Sequence, residues 1–144
     1  MSNDDYGLSP DKVEKEIAPP RVDYLPRTPK SYNPKIGLIG AGGISEFHLK
    51  NYKKCGFEVA AIANRTRTKA EEKRDQFYPA ALVFEDYREI LDIEDIEVVD
   101  VTPHPADRLP ILRESLEAGK HVLSQKPFVL DLDEGEKLVA LAQE

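Results

Sequence analysis

Cysteine occurs once in the 144 residues, at Cys55, so no disulfide can close within the chain, and a reducing, cytoplasmic setting is expected. Histidine is scarce too. His48, His104 and His121 are scattered, and with one cysteine they show none of the spacings of a metal site. No apolar run is long enough to cross a bilayer, and no stretch reads as a secretory signal. Positive charge is in deficit: 20 Lys and Arg stand against 27 Asp and Glu, for a net charge of −7. That balance excludes general nucleic-acid binding, which needs a basic face to displace phosphate counterions, but it leaves room for a local basic pocket. What remains is 40% hydrophobic and 33% charged, the composition of a soluble globular domain with a real core.

Residues 1–34 hold six of the eleven prolines and little apolar periodicity. Ser9 and Pro10 form an N-cap and first-turn pair that predicts a short helix to Ile17. The following "APPRVDYLPRTPKSYNP" reads as an extended, polyproline-like leader. It is either a linker or an arm that packs on another domain or subunit through Tyr24, Leu25 and Tyr32.

From Lys35 onward short Val/Ile-rich runs alternate with helical stretches. Strands are predicted at 35–40, 57–63, 81–84, 96–102 and 120–125. Helices are predicted at 44–54, 68–77, 87–91, around Leu109–Leu116, and from Asp131. Thr68 with Glu71 has the spacing of a capping box. Asp86 and Asp107 read as N-caps, Pro110 as a first-turn proline, and Gly119 as a helix stop. Strand–helix alternation of this length predicts an α/β fold, a doubly wound parallel sheet in the order 3-2-1-4-5 with both faces covered. Ligands of such sheets bind at the carboxyl ends of the strands, beside the switch point between strands one and four. Those ends are Gly40, Asn64, Thr102 and Gln125-Lys126.

The run Gly40-Ala41-Gly42-Gly43-Ile44-Ser45 fits G-x-G-x-x-G with serine in the last place. Gly40 permits a sharp exit from the strand, Gly42 lets a pyrophosphate approach the backbone, and Ser45 is small enough for close helix–strand packing. The helix behind it turns free N–H groups and a positive dipole end toward phosphates. The pattern lies between a strand and a helix, and a second strand ends at Asn64, where an acidic ribose ligand usually sits. The reading is a dinucleotide turn rather than a purely structural one. Asn64 removes the repulsion that a carboxylate would exert on a 2′-phosphate, and Arg65, Thr66 and Arg67 add two cations and a hydroxyl. This favours NADP over NAD, although an arginine stacked on adenine would suit either cofactor.

"GLIGAGGISEFHL" and "VTPHPADRLPILRESLEAGKHVLSQKP", with the spacing between them, resemble the glucose–fructose oxidoreductase, inositol dehydrogenase and rhizopine catabolism family (Gfo/Idh/MocA) over residues 35–144. The resemblance implies an NAD(P)-dependent oxidoreductase acting on sugars, cyclitols or related polyols. It implies that Gly40, Gly42 and Gly43 face the pyrophosphate, and that Thr102 and Pro103 line the nicotinamide side. Lys126 would stand by the reacting carbon as the catalytic cation, with Pro127 holding its backbone extended. Two departures stand out. The family's Glu-Lys-Pro is Gln125-Lys126-Pro127 here, so no carboxylate holds Lys126 by charge. After Thr102-Pro103, where Asn and His are common, the chain has His104-Pro105-Ala106-Asp107. His104 is either a neighbour of the nicotinamide or a solvated loop residue; His48 reads as a packing or capping residue, and His121 has no evident partner.

The family's second domain, which supplies the rest of the substrate pocket, has no counterpart after Glu144, so the chain reads as a fragment, and any self-association is assigned to that domain. Expected partners are a nicotinamide dinucleotide and, in the full-length enzyme, a small sugar or polyol; no nucleic acid, membrane or metal is expected. The alternative is a non-catalytic dinucleotide-binding or scaffold module. Other Rossmann enzymes are less suited, because no Tyr-x-x-x-Lys pair is present and Cys55 lies on a predicted helix away from the strand ends.

Overall fold

Lys35–Ile39 (β1) sits at the centre of a parallel sheet because its side chains are apolar on both faces: Ile36 and Leu38 point one way, Ile39 the other. The computed structural model describes residues 18–20, 22 and 31–144. Residues 18–20 and 22 are exposed and lie outside any helix or strand. The predicted helix over 9–17 and the proposed anchors Tyr24 and Leu25 fall outside the described residues. Tyr32, half-exposed, donates its hydroxyl to Glu97 at 3.1 Å, so its partner is a residue of the sheet domain.

Within Ser31–Glu144, β1 is followed by Gly43–Cys55 (α1), Val59–Ala63 (β2), Arg67–Phe77 (α2), Leu82–Phe84 (β3), Arg88–Leu91 (α3), Ile96–Val101 (β4), Pro105–Glu117 (α4), His121–Ser124 (β5) and Leu132–Leu141 (α5). The sheet order is β3-β2-β1-β4-β5, all parallel, as the strand–helix alternation predicts. One face packs Leu49 of α1 and Ala70 and Phe77 of α2 on Ile36, Leu38, Val59 and Ile62. The other packs Ile90 of α3, Leu112 of α4 and Leu138 of α5 on Ile39, Ala61, Val99 and Val101. Gly37 belongs to that second face: a Cβ on it would overlap Ile90 Cγ2, so the short α3 can lie directly on β1. The register of β4 then decides a point of function. Leu38 pairs with Asp100, which places the Asp100 carboxylate on the α1 side of the sheet, fully buried.

Coverage is incomplete at the edges, contrary to expectation. β5 alternates between exposed and half-buried residues, and Leu82 of β3 is exposed. Three strands, β2, β3 and β5, also start one or two residues later than predicted. Phe57 donates its N–H to Tyr52 O at 2.9 Å and so closes the end of α1 instead of opening β2. In α1 the apolar Leu49 is buried, whereas Ile44 and Phe47 are exposed.

Two caps and one first-turn proline differ from the sequence reading. α2 begins after Thr66, not Thr68, and has no side-chain cap; Glu71 pairs with Arg67 Nε at 3.0 Å instead of closing a capping box. α4 begins at Pro105, with His104 Nδ1 accepting from Ala106 N at 3.3 Å. Asp107 therefore lies inside the first turn, and Pro110 lies in the helix interior. Asp86, predicted to cap α3, does accept from Arg88 N through Oδ1 at 2.9 Å, although Tyr87 is the N-cap residue; at the predicted start of the last helix Asp131 Oδ1 accepts from Glu134 N at 3.2 Å.

Candidate functional site at the strand ends

The switch point opens where β1 and β4 send their helices to opposite faces of the sheet. Gly40 leaves β1 with φ +98°, a conformation that side chains resist. A Cβ there would also stand 2.7 Å from Thr102 Oγ1 and 3.1 Å from the Pro103 ring, so this glycine is demanded twice over. Thr102 returns the contact: its buried hydroxyl lies 3.1 Å from Ile39 O and 3.0 Å from Gly40 O, with one proton shared between them. The predicted nicotinamide-side residue thus uses its hydroxyl to tie the end of β4 to the turn.

Beyond Gly40 the turn is open. Cβ atoms placed on Gly42 or Gly43 would meet nothing within 4 Å. Gly42 is the N-cap of α1 and brings no side chain to its first amides. Ser45 N donates to Gly42 O at 3.2 Å; the N–H groups of Gly43 and Ile44, which no carbonyl of the helix can reach, are left to solvent or an anion. Ser45 is fully buried, its hydroxyl bonded back to Gly42 O, as its packing role predicts. Ile44 is exposed beside the turn.

A cleft of ≈ 310 Å³ adjoins this turn. Gly40, Gly42, Asn64, Arg65, Thr102 and Pro103 line it, together with Glu85, Tyr87, His104 and Asp107. Of the two predicted cations only Arg65 reaches it. Arg65 Nη2 donates to Asp107 Oδ2 at 3.0 Å across the opening, whereas Arg67 is held by Glu71. Asn64 is committed within the protein: Oδ1 accepts from Ala41 N at 3.1 Å and Nδ2 donates to Thr66 O at 2.9 Å. It clasps the glycine turn to the loop that opens α2. Tyr87 donates to Glu114 at 2.8 Å; burial, and then this bond, push its phenol up to about 12.

Lys126 and Pro127 are exposed at the exit of β5, outside the lining of this cleft, and the Lys126–Pro127 peptide is cis. What joins them to the cleft is Arg108, which sequence reasoning passed over as one more helix residue. Its side chain is buried; Nε and Nη2 donate to Pro103 O at 3.2 and 2.7 Å, and Nη1 donates to Gln125 O and Pro127 O. One guanidinium thus ties the exit of β4 to the exit of β5. Burial holds it below the usual arginine range, yet it stays charged, and its four hydrogen bonds go to three carbonyls of two loops.

His48 was also missed as a connecting residue. From α1 its Nδ1 lies 2.6 Å from Asp100 Oδ2, and its Nε2 lies 3.1 Å from Gln125 Nε2. Tyr52, one turn on, donates to the same Asp100 oxygen at 2.8 Å, while Asp100 Oδ1 is buried without a donor. The only advance signal was the four-residue spacing of His48 and Tyr52 on one helix face. Among the described residues no group of His, Cys, Asp and Glu could hold a metal ion, and no helix is long and apolar enough to cross a membrane.

Comparison with known proteins agrees with this architecture. The chain is 31% identical over 99 residues to an inositol 2-dehydrogenase/D-chiro-inositol 3-dehydrogenase of Lactiplantibacillus plantarum, covering 67% of this chain and 28% of that protein. It is 36% identical over 112 residues to an uncharacterized oxidoreductase of Schizosaccharomyces pombe, covering 76% and 30%. Among solved structures it superposes with a TM-score of 0.72, at 29% identity, on KijD10, a 3-ketoreductase from Actinomadura kijaniata in complex with NADP and TDP-benzene, covering 78% of this chain and 34% of that one. The chain thus spans about a third of the length of such relatives. The family model described as "Oxidoreductase family, NAD-binding Rossmann fold" matches residues 34–144, and the chain belongs to that GFO_IDH_MocA family as its NAD-binding domain.

Proposed function

We propose that the chain is the cofactor-binding part of an oxidoreductase that moves hydride between NADP, in preference to NAD, and a sugar, cyclitol or related polyol. The observation that carries this reading is the open turn at Gly42 and Gly43, where uncapped amides of α1 meet a ≈ 310 Å³ cleft. Gly40, Gly42, Gly43, Ile44 and Ser45 form the pyrophosphate cradle in this reading. Arg65 and Thr66 take the 2′-phosphate end, and Thr102 and Pro103 wall the nicotinamide side. Support for NADP comes from the neutral Asn64, from Arg65 at the rim, and from the NADP in KijD10. Asp107 and Glu85 on the same rim work against it, so Arg65 must exchange Asp107 for phosphate.

The nicotinamide, when bound, supplies the hydride chemistry. Lys126 hydrogen-bonds the reacting substrate oxygen and stabilises the charge that develops there. Arg108 and Gln125 hold the loop that carries it. The apolar surface immediately after it, with Leu130 and Leu132 exposed, is of the kind a second domain covers, and a substrate domain is the occupant this reading assigns.

The experiment is a fluorescence titration of the chain with NADPH and NADH, repeated with Gly42→Val and Lys126→Ala. Binding should disappear in Gly42→Val and persist in Lys126→Ala. Binding that is indifferent to Gly42→Val removes the site, and a chain that binds neither dinucleotide removes the function.

A further inference from the structure

A backbone amide has one polarity: it donates. That fixes every bond in the chain of contacts beneath the β5 exit. Lys126 N donates to Gln125 Oε1 at 2.7 Å, so the amide oxygen of Gln125 is committed to Lys126 and its NH₂ group faces His48. A primary amide nitrogen has protons and no acceptor lone pair. His48 Nε2, 3.1 Å away, must therefore be the bare, accepting nitrogen. The ring proton then sits on Nδ1, 2.6 Å from the Asp100 carboxylate, which accepts. Tyr52 agrees with this direction. Burial, followed by the Asp100 charge, holds its phenol well above the usual range, so it is an O–H donor to the same oxygen.

We propose that Gln125 locks His48 as a neutral imidazole protonated on Nδ1, and that Gln125 and His48 together act as positioning residues for Lys126, strung between its amide and the buried Asp100. The chain Lys126 N–H, Gln125, His48, Asp100 runs from the β5 exit through α1 to β4, with every donor pointing toward Asp100. An imidazolium would place an Nε2–H against the Gln125 NH₂. Turning the amide over to receive that proton would strip Lys126 N–H of its acceptor. The groups bonded to the ring are Asp100 and Gln125, and Tyr52 meets it edge-on at 6.3 Å.

The lock explains how the chain functions with glutamine where a carboxylate was expected to hold Lys126. A glutamate at position 125 would accept from Lys126 N–H and would need a donor at His48 Nε2. With Nδ1 already donating to Asp100, the ring would carry both protons, the second drawn from solvent. Gln125 with a neutral ring and glutamate with an imidazolium leave the cluster with the same formal charge, so the substitution replaces an ion pair by a directional hydrogen bond. The consequence for Lys126 rests on the role proposed for that residue above; the protonation state of His48 does not.

The test is long-range ¹H–¹⁵N correlation on the ¹⁵N-labelled chain near neutral pH, which separates protonated from bare ring nitrogens. The chain has three histidines, and His48 is assigned by the signal lost in His48→Asn. The expected result is a protonated Nδ1 and a bare Nε2. In Gln125→Glu both nitrogens should shift to protonated values, and in Gln125→Ala the Lys126 amide proton should move upfield. A protonated Nε2 in the unaltered chain overturns the proposal, as does a His48 that stays neutral in Gln125→Glu or a Lys126 amide unmoved in Gln125→Ala. Should the variants fail to fold, the tautomer of the unaltered chain decides alone. A correct tautomer in a chain that binds no NADPH would count against the proposed function and leave this inference standing.

Discussion

Arg65 Nη2 donates to Asp107 Oδ2 at 3.0 Å, a bond that bridges the exit of β2 and the first turn of α4 across the cleft. Arg65 is 86% exposed and Asp107 46%, so the pair stabilises the fold by no more than about 1 kcal/mol. Its importance is competitive. A 2′-phosphate must draw Arg65 away from Asp107, while a plain ribose need not. Asp107→Asn should therefore tighten NADPH by up to about fivefold and leave NADH nearly unchanged. Arg65→Ala should weaken NADPH relative to NADH by roughly tenfold or more, the worth of a charge-assisted bond to phosphate. Paired fluorescence titrations at fixed ionic strength read both, and an unaltered NADPH/NADH ratio in Arg65→Ala would remove the preference for NADP.

Two glycines two residues apart should fail in opposite ways. Gly40→Ala adds a Cβ at φ +98°, 2.7 Å from Thr102 Oγ1, and should lower stability by about 1–3 kcal/mol. A Cβ on Gly42 meets nothing within 4 Å, so Gly42→Val should forfeit only about 1 kcal/mol as a poorer N-cap, while blocking the approach of a diphosphate. Urea unfolding with dinucleotide titration on both variants separates the roles. Equal destabilisation by the two would mean that the turn is structural at both positions.

The contrast between what the sequence shows and what it hides runs along the same turn. The strand order follows from Val- and Ile-rich runs alternating with helices, a local pattern, and the Gly40–Ser45 turn follows from spacing alone. Arg108 and His48 were passed over because most of their partners are remote, and the bond from Ala41 N to Asn64 Oδ1, 23 residues apart, was hidden for the same reason. Arg108 reaches carbonyls 5, 17 and 19 residues away, and His48 meets Asp100 and Gln125 at separations of 52 and 77. No periodicity encodes such contacts; they exist only once parallel strands have brought their carboxyl ends together. The caps were misplaced for the opposite reason. Thr66 and Thr68 are equally good candidates by residue type, and so are His104 and Asp107 by position before an apolar face. The choice fell to contacts that local rules omit: Asp107 answers Arg65, and Glu71 answers Arg67.

Arg108 should be among the most sensitive positions of the domain. Its guanidinium satisfies carbonyls of Pro103, Gln125 and Pro127 without a carboxylate partner, so truncation leaves part-buried acceptors without their donor. Arg108→Met keeps most of the volume and should still cost roughly 2–4 kcal/mol. Arg108→Lys, a single ammonium unable to span both loops, should fall between. Denaturant midpoints give the order. A neutral Arg108→Met would show that the two strand exits are held by the sheet alone.

Alkaline pH should unfold the domain through its tyrosines. Burial is the first cause of the raised phenol values at Tyr52, Tyr78 and Tyr87, with Asp100 adding to the first and Glu114 to the last. An unfolded phenol ionises near pH 10. Tyr87, held at about 12 in the fold, keeps its proton where the unfolded chain has already lost it, so the unfolded state binds fewer protons and stability falls as pH rises. The contribution is complete below about pH 10 and is lost as the pH climbs toward the folded value of about 12. Lys35, raised by Asp95, acts in the same direction but is exposed. Tyr87→Phe should flatten the fall in urea midpoint above about pH 10, and Tyr52→Phe should flatten it further at the cost of a donor to Asp100. The part of the tyrosinate absorbance that is lost in Tyr52→Phe and Tyr87→Phe should rise with unfolding rather than before it. A tyrosinate signal for Tyr87 that saturates near pH 10 in the folded domain would show that its bond to Glu114 is open to solvent.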